Sequence, residues 1–131
     1  MAEAEALGAG KGYAAPLDVV LDEENVVQPD LLFIRRERLH IVTEDNIQGA
    51  PYLVVEILSE SSARRDMETK RRRYAEFGVA HSWVADPATR RIFRFHLEGG
   101  LSVEDPVVAP EDTLSSPLFP GLSILAGRLF D

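Results

Sequence analysis

Apolar positions along the chain cluster in short blocks separated by polar turns, the signature of a sheet with few helices. Leu17-Asp18-Val19-Val20-Leu21 reads as a strand, and Asp22-Glu23-Glu24-Asn25 as the turn after it. Val26 to Ile34 would return as the second strand of that hairpin, with Pro29 marking a strand start or an edge. Arg35 to Gln48 is polar and irregular, apart from a short turn of helix around Arg36-Glu37-Arg38-Leu39.

Leu53 to Leu58 is nearly continuous in apolar residues, as expected of a central strand covered on both faces. Ser59-Glu60-Ser61-Ser62 offers helix-capping side chains, and Ala63 to Phe77 predicts a helix that stops at Gly78. Ser82-Trp83-Val84-Ala85 is the next strand, closed by the turn Asp86-Pro87-Ala88-Thr89. Arg91 to Leu97 alternates polar and apolar residues, as a half-exposed antiparallel strand does, and Glu98-Gly99-Gly100 turns it back into Leu101 to Val108. The apolar residues from Leu114 to Phe130 would close one end of the core. The order predicts a mixed α/β sheet. Met1 to Ala15, rich in Gly and Ala, reads as a flexible N-terminus, with 16–131 as one domain.

Within this pattern two residues stand out. Asp30 and Glu56 each interrupt an apolar strand, and a buried, unpaired carboxylate is costly. A divalent cation is one way to offset that cost; backbone donors or arginines are others. On the predicted helix Asp66, Lys70 and Tyr74 follow at i, i+4 and i+8, roughly along one face. They form either a surface ion pair or a group that carries Lys70 over the end of the strand bearing Glu56.

Composition narrows the chemistry. The chain of 131 residues has no cysteine, which excludes disulfides, thiolate metal sites and a cysteine nucleophile. His40, His81 and His96 are too dispersed for a zinc site, and no Gly-rich phosphate loop is present. Ser59 and Ser61 suit helix capping better than nucleophilic attack, and Trp83 suits packing. No apolar run approaches the ~20 residues of a membrane span, so a cytoplasmic protein without membrane contact is expected. The net charge of -8 argues against coating nucleic acid by bulk charge. Local clusters run the other way: Arg35, Arg36 and Arg38 form one, and Arg64, Arg65, Lys70, Arg71, Arg72 and Arg73 a second.

Several stretches taken together carry a resemblance. They are Gln28-Pro29-Asp30-Leu31-Leu32-Phe33, Ala50 to Ser59, Arg65-Asp66, Lys70, Tyr74-Ala75-Glu76-Phe77-Gly78-Val79, Ser82 to Pro87 and Phe119-Pro120-Gly121-Leu122. In this order they resemble the Uma-type "putative restriction endonuclease" family of the PD-(D/E)xK nuclease superfamily. The resemblance implies a restriction-endonuclease-like mixed central sheet, flanked by a helix and carrying antiparallel hairpins. It implies that Asp30 and Glu56 hold Mg²⁺ or Mn²⁺ together with the Ile57 carbonyl, and that Lys70 acts beside them.

Gln28, Asp66 and Tyr74 would support these groups, and Asp18 is a further candidate. The implied activity is hydrolysis of DNA phosphodiesters; the alternative is an inactive binding or assembly module on the same fold. Two departures accompany the resemblance. The superfamily lysine should stand two residues after the glutamate, where this chain has Leu58. Relatives also carry an additional helix and hairpin at the front, for which Met1 to Ala15 is too short, so these elements are expected to be shortened. A sheet edge left open in this way favours pairing with a second copy, hence a homodimer.

Overall fold

The structure is a computed structural model that describes residues 9–59, 64–114 and 124–127. Its frame is a six-stranded mixed sheet in the order β1-β4-β6-β7-β8-β9. The strands are β1 (Gly10–Ala14), β4 (Leu31–Arg35), β6 (Leu53–Ile57), β7 (His81–Asp86), β8 (Arg91–Glu98) and β9 (Leu101–Glu104). β6 and β7 are parallel; every other neighbouring pair in this sheet is antiparallel. A parallel pair needs a long crossover, and here it contains helix α1 (Arg64–Glu76).

A smaller sheet pairs β2 (Asp18–Val20) with β3 (Val26–Val27) in an antiparallel hairpin and with β5 (Asn46–Gln48) in parallel. A short 3-10 helix, Arg36–Ile41, follows β4 and matches the helical turn expected there. β10 (Thr113–Leu114) and β11 (Ile124–Leu125) form a further two-stranded pair.

The alternation of side chains across the main sheet separates two cores. Leu32, Ile34, Val54 and Val84 face α1, where Tyr74, Ala75 and Val79 cover them. Phe33, Leu53, Trp83 and Ile92 face the other way and pack against Val108, Leu114 and Ala126. β6 is buried at Leu53, Val54 and Glu56 and half-buried at Val55, while Ile57, also within the run expected to be covered on both faces, is exposed.

The structure corrects two expectations. The run from Val26 to Ile34 is not one strand: β3 ends at Val27, and Leu31 begins β4 in a different sheet. Pro29 lies fully buried in the break, where its missing N–H removes a ladder bond. Residues 10–14, read as part of a loose segment, are instead the edge strand β1, in register with β4 from Gly10 opposite Arg35 to Ala14 opposite Leu31. The glycine that suggested looseness is what the pairing needs. Gly10 has φ +155°, and a Cβ there would lie 2.0 Å from the Ile34 carbonyl oxygen. The apolar tail expected over 114–130 falls largely outside the described residues; within them Leu114 and Ala126 are buried.

Candidate active site

Pairing register brings the two carboxylates together. β4 and β6 run antiparallel with Leu31 opposite Val55 and Leu32 opposite Val54, so one more step places Asp30 opposite Glu56. Both lie on the helix-facing side, since Leu32 and Val54, two residues away on each strand, point into that core. Glu56 is only 4% exposed, while Asp30 is half-buried at the mouth of the sheet.

Backbone geometry around Ile57 binds the pair further. The Ile57 N–H donates to Asp30 Oδ2 at 2.6 Å. Leu58 N–H donates in the opposite direction, to the Ala85 carbonyl of β7 at 2.9 Å. Because N–H and C=O point opposite ways across a planar trans peptide, the Ile57 carbonyl is directed to the Asp30 side as well. One strand end therefore offers Glu56, a main-chain carbonyl and contact with Asp30.

Helix α1 supplies the other groups. Its buried stripe is Met67, Tyr74 and Ala75, with Lys70 and Arg71 half-buried beside them. The Tyr74 hydroxyl donates to Glu56 Oε1 at 2.5 Å, and the Lys70 ammonium stands 3.8 Å from Oε2. Asp66 does not join them and is exposed. A stride of four residues drifts by about 40° on a helix of 3.6 residues per turn, so two strides carry Asp66 off the stripe.

The end of the helix fixes Tyr74. Gly78 adopts φ +89°, its N–H bonds the Ala75 carbonyl at 3.3 Å, and the Val79 N–H bonds the Tyr74 carbonyl at 3.0 Å. These are the two bonds of a Schellman cap, and the accompanying apolar contact is between Val79 and Tyr74, both buried.

Electrostatics show that the carboxylate is incompletely compensated. Burial pushes the Glu56 carboxyl above its usual range, the Tyr74 hydrogen bond and the Lys70 charge pull it back, and the charge of Asp30 pushes it up again. Burial, and then the adjacent carboxylate, push the Tyr74 phenol upward, so it stays a proton donor. Among the described residues the cation paired with Glu56 is Lys70, held at a distance beyond hydrogen bonding, while the second carboxylate, Asp30, lies beside it. An arrangement selected for stability alone would do as well or better with apolar side chains of the same size.

The residues present suit a small divalent cation, because two carboxylates and a main-chain carbonyl are hard oxygen donors. Among the described residues no three His, Cys, Asp or Glu side chains converge. Leu58, where the superfamily lysine would stand, is half-buried against the helix-side core; Lys70 reaches the same carboxylate from above.

The remaining candidates lie apart. Gln28 Nε2 donates to Asp18 Oδ1 at 2.6 Å, and both are exposed. Asp18 belongs to the small sheet, and among the described residues no hydrogen bond or ion pair links either residue to Asp30, Glu56 or Lys70. The basic helix also divides: Lys70 turns to Glu56, Arg71 stacks 3.8 Å over the Phe95 ring, and Arg72 and Arg73 are exposed. A backbone donor to Asp30 is one of the alternatives the sequence left open, and the structure identifies it as the Ile57 N–H, which leaves no mark of its own in the sequence. The cross-strand register was the one available signal.

A family model described as "Uma2: Putative restriction endonuclease" matches residues 2–127. A crystal structure of a "putative nuclease belonging to DUF820" from Anabaena variabilis aligns with a TM-score of 0.77 at 16% identity, over 98% of this chain and 72% of that one. At that identity the likeness establishes the fold, a mixed sheet with one flanking helix. Comparison with curated proteins finds no match. Among the described residues, no helix is long and apolar enough to cross a membrane.

Proposed function

The chain belongs to the Uma2 family of "putative restriction endonucleases", and from that footing we propose that it is a Mg²⁺- or Mn²⁺-dependent endonuclease acting on DNA phosphodiester bonds. The observation that carries this reading is Asp30 and Glu56 at one end of adjacent strands, with Lys70 over the second. In this reading Asp30, Glu56 and the Ile57 carbonyl hold the cation. When bound, such an ion activates water and neutralises charge on the scissile phosphate.

The chain's own groups supply the rest. Lys70 offers three N–H donors and a compact positive charge, suited to a non-bridging phosphate oxygen or to holding the attacking water. Tyr74 keeps Glu56 in one orientation from a rigid helix end. Arg72 and Arg73, exposed on the same helix, give phosphate contacts that the net charge of -8 would otherwise oppose. A second copy is the proposed protein partner, joined along an edge of the main sheet, β1 or β9.

Incubation of DNA with the purified chain and Mg²⁺ tests the activity. Cleavage is expected with wild type, and not after chelation or in Asp30→Ala or Glu56→Ala. Cleavage that survives both substitutions would sink the assignment. Leu58 in place of the superfamily lysine favours a second reading, a binding or assembly module that has kept the fold without turnover. Calorimetry separates the two: absence of Mg²⁺ or Mn²⁺ binding that depends on Asp30 supports the module. Light scattering reads the dimer.

A further inference from the structure

Glu56 is held at both oxygens, but unequally. Oε1 accepts the Tyr74 hydroxyl at 2.5 Å, a short charge-assisted bond. Oε2 faces an ammonium 3.8 Å away, too far for a hydrogen bond. Asp30 is divided in the same way: Oδ2 takes the Ile57 N–H at 2.6 Å, and Oδ1 has no hydrogen-bond donor among the described residues. Each carboxylate is left with one oxygen that accepts no hydrogen bond from a described residue, Oε2 keeping only its ion pair with Lys70.

The commitment of Oε1 is enforced by the fold. Tyr74 is 1% exposed, so its hydroxyl is cut off from bulk solvent. Its backbone is fixed by the bonds from Gly78 and Val79 that close the helix. Glu56 sits on a strand paired on both sides and is itself 4% exposed, and that burial leaves the carboxylate little room to swing away.

On the premise that Asp30 and Glu56 hold a divalent cation, we propose that Tyr74 decides which cation they accept. By occupying one lone pair of Oε1 and fixing the carboxylate's orientation it disfavours two-oxygen ligation by Glu56 and so favours Mg²⁺ or Mn²⁺ over Ca²⁺. Mg²⁺ demands compact octahedral geometry, keeps several waters and takes few carboxylates. Ca²⁺ gathers six to eight oxygens and readily uses both oxygens of one carboxylate. Disfavouring two-oxygen ligation therefore penalises the larger ion most. Tyr74 touches neither cation nor substrate in this scheme; it is a positioning residue.

Calorimetric titration of wild type and Tyr74→Phe with MgCl₂, MnCl₂ and CaCl₂ tests the proposal. The substitution is expected to move the ratio of Ca²⁺ to Mg²⁺ affinity toward Ca²⁺ by about 10-fold, the lower end of what groups behind a metal ligand contribute. An equal change for all three ions overturns it, because loss of folding or of general order would move them together. Wild type that binds Ca²⁺ more tightly than both other ions overturns it as well, with no need for the variant to fold. Wild type that binds none of the three removes the cation reading of Asp30 and Glu56 itself. That outcome is distinct from a chain that binds the ions but keeps its ratio on substitution.

Discussion

The two ends of β6 carry polar clusters of opposite character. At its carboxyl end Glu56 is buried beside Asp30, with one lysine 3.8 Å away. At its amino end Tyr52 meets His81 edge to face with ring centroids 5.0 Å apart, and Arg35 lies 4.6 Å over the Tyr52 ring. His81 is opposite His96 on β8, and His96 Nδ1 is 3.2 Å from Asp105 Oδ1 in a pair whose side chains are each 39% exposed. These groups satisfy one another or reach water. Among the described residues, the carboxyl end keeps an imbalance of two carboxylates against one distant cation. Polar residues alone do not mark a site; polar residues that the fold leaves undercompensated do.

The largest test of that contrast is to remove the imbalance. Glu56→Leu combined with Tyr74→Phe replaces a buried carboxylate and its donor by apolar groups of similar volume. It is expected to abolish Mg²⁺ binding and to raise unfolding free energy by about 1–4 kcal/mol, as replacement of buried charge often does. Urea denaturation beside calorimetry would read both. A double variant that loses stability would show that Glu56 holds the fold together rather than burdening it.

Tyr74→Phe alone should act in the opposite direction. It strips the donor from Glu56 Oε1 without removing the buried oxygen, a loss of about 1–3 kcal/mol in the same denaturation assay. Wild-type stability in this variant would mean that the bond contributes nothing net.

Acid should act at the amino end. Burial, and then the neighbouring His96, push the His81 imidazole below its usual range. The unfolded chain then binds that proton more readily, so the contribution of His81 is complete above the ordinary value of 6.5 and is lost as pH falls through the folded value. The urea midpoint of wild type should drop over this window, and His81→Phe should flatten the slope. An unchanged slope would remove His81 as its source.

The smallest effect is expected from the exposed pair. His96→Ala or Asp105→Ala should change stability by less than about 1 kcal/mol, as surface ion pairs generally do, and leave the proposed DNA cleavage at the wild-type rate. Loss of cleavage in either would break the contrast between the two ends.

Much of this arrangement was legible in the residues. The apolar run Leu53 to Leu58 announced a central strand, and Gly78 announced the end of a helix that stops at Glu76. The hairpin from Asp18 to Val27 was legible as well, through its Asp22 to Asn25 turn. The fate of the next residues was not. Val26 to Ile34 has one continuous apolar character, yet its two halves serve different sheets, because the break is set by what each half packs against. β1 was hidden because Gly10 reads as flexibility when its role is close approach to Ile34. Asp66 looked like a partner of Lys70 on spacing, but the width of the buried stripe excludes it.

By itself the sequence determined the ingredients: a mixed sheet, one crossover helix with its stop, and Asp30, Glu56, Lys70 and Tyr74 in that order. These follow from local periodicity and capping chemistry, which act over a few residues. Only the tertiary structure decided how the ingredients meet. Strand register set Asp30 across from Glu56, and the crossover brought Tyr74 and Lys70 onto separate oxygens of one carboxylate. A main-chain N–H took half of Asp30. Such contacts join residues 18 or 27 positions apart, and the one between Asp30 and Ile57 uses a donor that every residue but proline possesses. Local sequence cannot encode that choice; packing makes it.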